Sequence, residues 1–276
     1  MKKFILNFLI CISPSLIIFL TLEVVAESIP NSYRYKREWI ECNGKGVSTI
    51  ILGNSHTFDG IQPLLMDSAF NLSNSAQGLE YDRYLLKFAY EKCTNLKTVI
   101  LSLDYMNLFM ISPENAEDHR LVYYTIYLGY DKHSRFSKYG YELFTKDIMI
   151  DKIKTYINSK LNGKIYETCD TLGSSTANHI SLFEEGNLGS KYMDMMMPLW
   201  HDVNDYIAIN YCVEKLEEIA AFCQEKQLRL ILVNLPFYHI LNEQAHTSRL
   251  TSLDSVANML KHKYNIEYYD YRTDKN

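Results

Sequence analysis

Clusters of basic residues are missing from this sequence. Its 28 Lys and Arg are scattered among 33 Asp and Glu, for a formal net charge of -5. Nucleic-acid binding needs a concentrated positive footprint, so this distribution argues against that class of partner. Cys-x-x-Cys pairs and His-rich ligand spacings are also missing, which removes the usual signatures of a zinc site. A glycine-rich phosphate cradle is not present either: Gly53 stands alone at the end of an apolar run, which makes a phosphate-binding α/β module a weak reading. There is no internal repeat and no long block of like charge. What remains is 47% hydrophobic and 22% charged over 276 residues, the makeup of a folded chain with material for one large domain or two small ones.

Met1 to Ala26 is the first positive feature. Lys2 and Lys3 precede FILNFLICISPSLIIFLTLEVVA, a nearly unbroken apolar run of about the twenty residues that cross a bilayer. Two outcomes are open. Val24 and Ala26 before Glu27 suit signal cleavage, which would leave a secreted or periplasmic protein, but the run is longer than a usual signal h-region, which favours a retained single-pass anchor with the domain outside the cytoplasm. Cys11 is a poor lipoprotein cysteine, because bulky Ile10 precedes it. Lys2 and Lys3 should stay inside, although Arg34, Lys36 and Arg37 oppose that orientation. Five cysteines follow: Cys42, Cys93, Cys169, Cys212 and Cys223. Export permits disulfides, and an odd count leaves at least one thiol free; Cys93, Cys212 and Cys223 fall in helical patterns and read as small apolar core residues.

Beyond the anchor, strand-length apolar runs occur at Val47 to Gly53, Ala69 to Ser73, Thr98 to Tyr105, Arg229 to Pro236 and Ile266 to Tyr271. Helical patterns fall between them at Tyr81 to Cys93, Tyr211 to Glu225 and Thr251 to Tyr264. This alternation predicts an α/β domain over 27–276 with a doubly wound, mainly parallel five-stranded sheet, covered on both faces. Residues 111–210 break the rhythm and read as an insertion between strands three and four. It contains a helix over Tyr141 to Leu161 and a loop-like tract ending in MDMMMP.

The candidate chemistry lies at the end of the first strand, in VSTIILGNSHTFDG. A serine placed there, Ser55, sits at the mouth of a parallel sheet and at the start of the next helix, where its own N–H and the helix field can stabilise an oxyanion. A plain N-cap role for Ser55 or Thr57 is the simpler alternative. GNSHT, then FNLSNSAQ after a second strand, then VILSLDY on a third, together resemble the SGNH hydrolase superfamily, the GDSL-like esterases. IPNSYRYKREWIECN and NLSNSAQGLEYDRYLLKFAY narrow the resemblance to membrane-anchored SGNH-like proteins of bacterial envelopes. It covers Ile29 to Tyr105 well and Leu228 to Tyr271 loosely.

The resemblance implies a flavodoxin-like three-layer sandwich and a cofactor-free esterase or acyltransferase, with Ser55 as nucleophile and as one oxyanion-hole donor. It also implies a second main-chain donor near Ala76, with Gly78 two positions on, and a third from Asn107, which stands out of register in LDYMN. The superfamily's Asp-x-x-His block, which supplies the base, should follow the last strand, but here IEYYDY is followed only by RTDKN. This departure suggests a C-terminally truncated copy. His239, in LPFYHIL just beyond the fourth strand, is the best internal substitute; His201 beside Asp202 and Asp205 is another, and His56 is expected to point away from Ser55. Two functional classes follow: an enzyme acting on ester-linked acyl groups of an envelope saccharide or similar small ester, or a non-catalytic carbohydrate- or protein-binding scaffold built on a degenerate fold.

Overall fold

The computed structural model describes residues 1–109, 119–130, 137–163, 166, 168–176, 206–237, 243 and 245–273. Their contacts divide the chain into two compact units, one from Met1–Arg37 and Pro113–Thr168, the other from Glu38–Ser112 and Cys169–Asn276.

The first unit contains helix α1 (Lys2–Ser28) and the start of α2 (Ser32–Asn43). Among the described residues α1 is the one helix long and apolar enough to cross a membrane. Most of α1 is exposed, but Glu23 and Ala26 in its last turns are buried and Phe19 and Glu27 partly so. Glu23 accepts hydrogen bonds from the main-chain N–H groups of Glu142 and Leu143, at 2.8 and 3.1 Å.

The second unit holds the sheet. Strands β1 (Thr49–Leu52), β2 (Ala69–Asn71), β3 (Thr98–Ser102), β4 (Arg229–Asn234) and β5 (Glu267–Asp270) lie in the order β2-β1-β3-β4-β5, every pairing parallel. The strands are shorter at their ends than the apolar runs suggest, because hydrophobicity continues into turns where ladder pairing has stopped. The connections run through α3 (Ser55–Gly60) after β1 and α4 (Leu79–Lys92) after β2. In the first unit are α5 (His119–Tyr123) and α6 (Lys146–Leu161), while α7 (Tyr206–Glu225) and α8 (Thr247–Tyr264) flank β4.

Right-handed crossovers place α4, α7 and α8 on one face of the sheet, since each carries the chain in the same direction across the strand order. The contacts agree: α7 packs against both α4 and α8. On that face Ile50, Leu52, Val99, Leu101, Leu230 and Leu232 are buried, and buried Cys93, Cys212 and Cys223 fill out the unit's core. The β1-to-β2 step runs the other way. It brings Ile61, just after α3, onto the opposite face against Ile51, Ile100 and Val233.

Cover on this second face thins toward β5, where the stacked rings of Tyr269 and Tyr271 remain 43% and 40% exposed. The expected cover on both faces therefore holds around β1 and weakens at the β5 edge. Polar ties mark this edge: Arg229 forms a two-point pair with Glu267 across β4 and β5, and on the α8 side Arg272 bonds Asp254 and Asp270.

Candidate functional site

The strand order reverses between β1 and β3, since the chain leaves β1 for β2 on one side and later returns to β3 on the other. In open parallel sheets the crevice outside the C-terminal ends of such a strand pair is the usual ligand position. The residues following β1 and β3 meet there.

Gly53 makes the turn out of β1. Its φ of +124 suits glycine, and an added Cβ would collide with the Ser102 hydroxyl and come within 2.7 Å of Thr57 Oγ1. Asn54 then caps α3: its side-chain oxygen accepts from His56 N–H at 2.9 Å, while Thr57 Oγ1 donates to Asn54 O at 3.0 Å. The cap belongs to Asn54, so Ser55 is released from that structural duty. Ser55 occupies the first helical position, half-buried, and its hydroxyl has no hydrogen-bonding partner among the described residues.

Two buried carboxylates support this turn from beneath. Asp104, two residues past β3, accepts from Asn54 Nδ2 at 2.9 Å and lies 3.3 Å from His56 Nδ1. Its other oxygen accepts from the main-chain N–H groups of Met106 and Asn107. Burial alone would raise its pKa, but the His56 contact and the Asn107 and Asn54 hydrogen bonds outweigh burial and hold it below the usual carboxylate value. Asp82, in the first turn of α4, accepts from Gly53 N–H at 2.8 Å and Gln77 Nε2 at 2.6 Å through one oxygen. Burial pushes Asp82 up to about 7, against the pull of those two donors and with added repulsion from Asp104. One acid is thus held ionised and the other is poised to keep its proton near neutrality.

The turn after β2 lies beside the Gly53 turn. Asn74 N–H donates to Gly53 O at 3.3 Å, and Gln77 N–H closes the turn onto Asn74 O at 3.1 Å. Within it Ala76 has a φ of 51, a left-handed conformation in which glycine is the favoured residue. The resemblance expects a glycine near this position. The Ala76 N–H has no hydrogen-bonding partner among the described residues.

Asn107 is held otherwise than expected. It is buried after β3, and its amide donates to Ser102 O at 2.6 Å and Ser102 Oγ at 3.0 Å, while its oxygen accepts from Asp104 N–H. The side chain closes its own turn, a common use of Asn just past a strand. His239 and His201, with Asp202 and Asp205, lie outside the described residues. His56 is oriented by Asp104 and by an edge-on contact with Phe237, ring centroids 4.2 Å apart.

Sequence reasoning passed over Asp82 altogether and did not pair Asp104 with His56. The usable signal was positional: an acid directly after a buried strand, in LSLDY, and an acid in the first turn of a buried helix. Compared with protein-family models, with curated proteins and with solved structures, the chain matches none.

Proposed function

We propose that the sheet-bearing unit is a serine hydrolase or acyltransferase of SGNH type, acting on ester-linked acyl groups of an envelope saccharide. The observation carrying this reading is the Ser55 hydroxyl: half-buried, at the C-terminal end of β1 in the switch-point crevice, and free of the capping bond that Asn54 makes instead. Ser55 attacks the acyl carbonyl as the base takes its proton, and the oxyanion is met by main-chain donors at Ser55 and Ala76; collapse breaks the ester C–O bond, and the saccharide alcohol leaves with that proton. The acyl group then passes to water or a sugar hydroxyl. Asn107 enters as a donor only if its bonds to Ser102 open.

The base is the open role. His239 remains one candidate. His56 is the other, because its Nδ1 lies 3.3 Å from the Asp104 carboxylate, the kind of acid–imidazole neighbourhood that general-base histidines use, although no hydrogen bond joins the two. Neighbours on a helix project about 100° apart, which suits His56 to deprotonating the acceptor hydroxyl rather than gripping Ser55 itself. We further read α1 as a retained anchor with the domain outside the cytoplasm. Cleavage before Glu27 would discard Glu23, which is buried and holds two main-chain N–H groups of its own unit.

The test is fluorophosphonate labelling and p-nitrophenyl acetate turnover of the full chain. Ser55→Ala is expected to lose label and at least about a thousandfold in turnover with its melting temperature kept, and His56→Ala to keep label while losing turnover. Equal label on Ser55→Ala and the parent would reject the nucleophile. A second reading, a saccharide-binding scaffold, is favoured by one observation in the other unit: a cavity of about 410 Å³ lined by Tyr33, Tyr123 and Tyr166 with Asn31 and Asp151 among its polar groups. Absence of serine-dependent labelling in a folded protein would favour it.

A further inference from the structure

Helix α6 presents an apolar surface that its own packing does not explain. Met149, Lys152 and Tyr156 form its packed side, with Met149 and the Lys152 side chain buried. On another side Ile150, Ile157 and Leu161 are 42%, 50% and 81% exposed, and Phe144 in the turn before the helix is 60% exposed. At 3.6 residues per turn the three helical residues fall within about 40° of arc, a continuous stripe rather than scattered exceptions. Lys154, whose side chain is 72% exposed and lies 3.8 Å from the exposed Asp151 carboxylate, and exposed Lys160 lie on its two flanks.

The location of α6 within its unit bears on what covers this stripe. Glu142 and Leu143 bond Glu23, and Lys152 Nζ donates to Ala26 O at 2.9 Å. From residue 142 to residue 152 the attachment therefore advances only three positions along α1, about 4.5 Å. These attachment points lie within one turn of each other near the end of the apolar part of α1, and one turn deeper the Phe19 ring lies 6.0 Å from that of Tyr141. Exposed Val24 and Val25 continue the apolar surface of α1 into this zone.

We propose that α6 is an interfacial helix. Its stripe of Ile150, Ile157 and Leu161, with Phe144, enters the headgroup boundary of the leaflet that α1 leaves, and Lys154 and Lys160 reach up to anionic headgroups. A helix lying in the interface buries apolar side chains to the acyl boundary while lysines at its margin extend their charge to the phosphates. The proposal rests on α1 being a retained anchor.

The full chain, reconstituted in phosphatidylcholine–phosphatidylglycerol vesicles carrying lipid brominated near the headgroup end of its acyl chains, tests it by tryptophan quenching. The parent signal from Trp39 and Trp200 is subtracted. Phe8→Trp reports on α1, Ile157→Trp and Leu161→Trp on the stripe, and Thr155→Trp on the opposite side of α6. The expected result is strong quenching of Phe8→Trp, loss of about half the added emission for both stripe variants, and little for Thr155→Trp. Quenching of Phe8→Trp without quenching of the stripe overturns the interfacial helix while leaving the anchor standing, as it would if a second copy or another protein covered the stripe. No quenching of Phe8→Trp overturns both.

Discussion

The two units bury polar groups in different ways. In the sheet unit, Asp82 and Asp104 face mostly neutral donors: main-chain N–H groups of Gly53, Met106 and Asn107 and the amides of Gln77 and Asn54. In the unit containing α1, buried Glu142 is paired with Lys152 Nζ at 2.6 Å and receives the Tyr127 hydroxyl in a short hydrogen bond, and the same lysine continues to Ala26 O. The first arrangement shapes a turn and leaves a hydroxyl free for chemistry. The second fastens a helix. Neutral donors stabilise a buried carboxylate without cancelling its charge, so its protonation stays adjustable; a buried ion pair becomes costly as soon as one member is removed.

The largest expected effect falls on the fastening. Lys152→Ala leaves Glu142 buried and unpaired, and we expect a loss of about 3–5 kcal/mol of stability in the unit of α1, read as limited proteolysis within 137–163 in detergent. If Lys152→Met, which keeps the stem without the charge, is equally protease-sensitive, the ion pair is what matters; a protected Lys152→Met would assign the effect to packing. The turn comes next. Gly53→Ala forces a methyl against Ser102 and Thr57 at a φ of +124, and should cost about 2–4 kcal/mol by urea denaturation, with Ser55 labelling falling even under conditions where the protein stays folded.

The smallest effect is a pH dependence. Asp82, raised from its ordinary value of 3.8 to about 7, binds its proton more tightly in the folded state, so its contribution is complete at low pH and is lost as pH rises toward 7. Between pH 5 and 7 this amounts to about 2 kcal/mol. Asp104 acts in the opposite sense and only in acid: its lowered pKa gives stability present above the ordinary value and lost as pH falls below it. Thermal melts of Asp82→Asn should therefore show a flatter profile from pH 5 to 7 than the parent. Matching slopes would show that Asp82 does not keep its proton.

Legibility followed the range of the interactions. The inner strands β1 and β3 could be read because a parallel strand buried on both faces needs an unbroken apolar, β-branched run, as in TIIL and TVILS. The position of Ser55 could be read from a glycine ending such a run. The end of α1 could not, because Glu23 is bonded by a segment 119 residues away, and an acid among apolar residues looks in isolation like a blemish. The partner of Asn107 is local, Ser102 five residues back, and that closure competes with the distant role the resemblance implies for it. The neighbour of His56 is Asp104, 48 positions on, a contact that no local pattern announces.

By itself, the sequence determined the elements: an apolar N-terminal helix, alternating strands and helices, and a serine directly after the first strand. These follow from periodicity and turn chemistry, which act over a few residues. The tertiary structure alone decided the strand order that puts β1 beside β3, the pairing of His56 with Asp104, the raised pKa of Asp82 and the fastening of α1. Each of these depends on desolvation and on donors delivered from distant parts of the chain, and burial is a property that no residue has until the chain has folded around it.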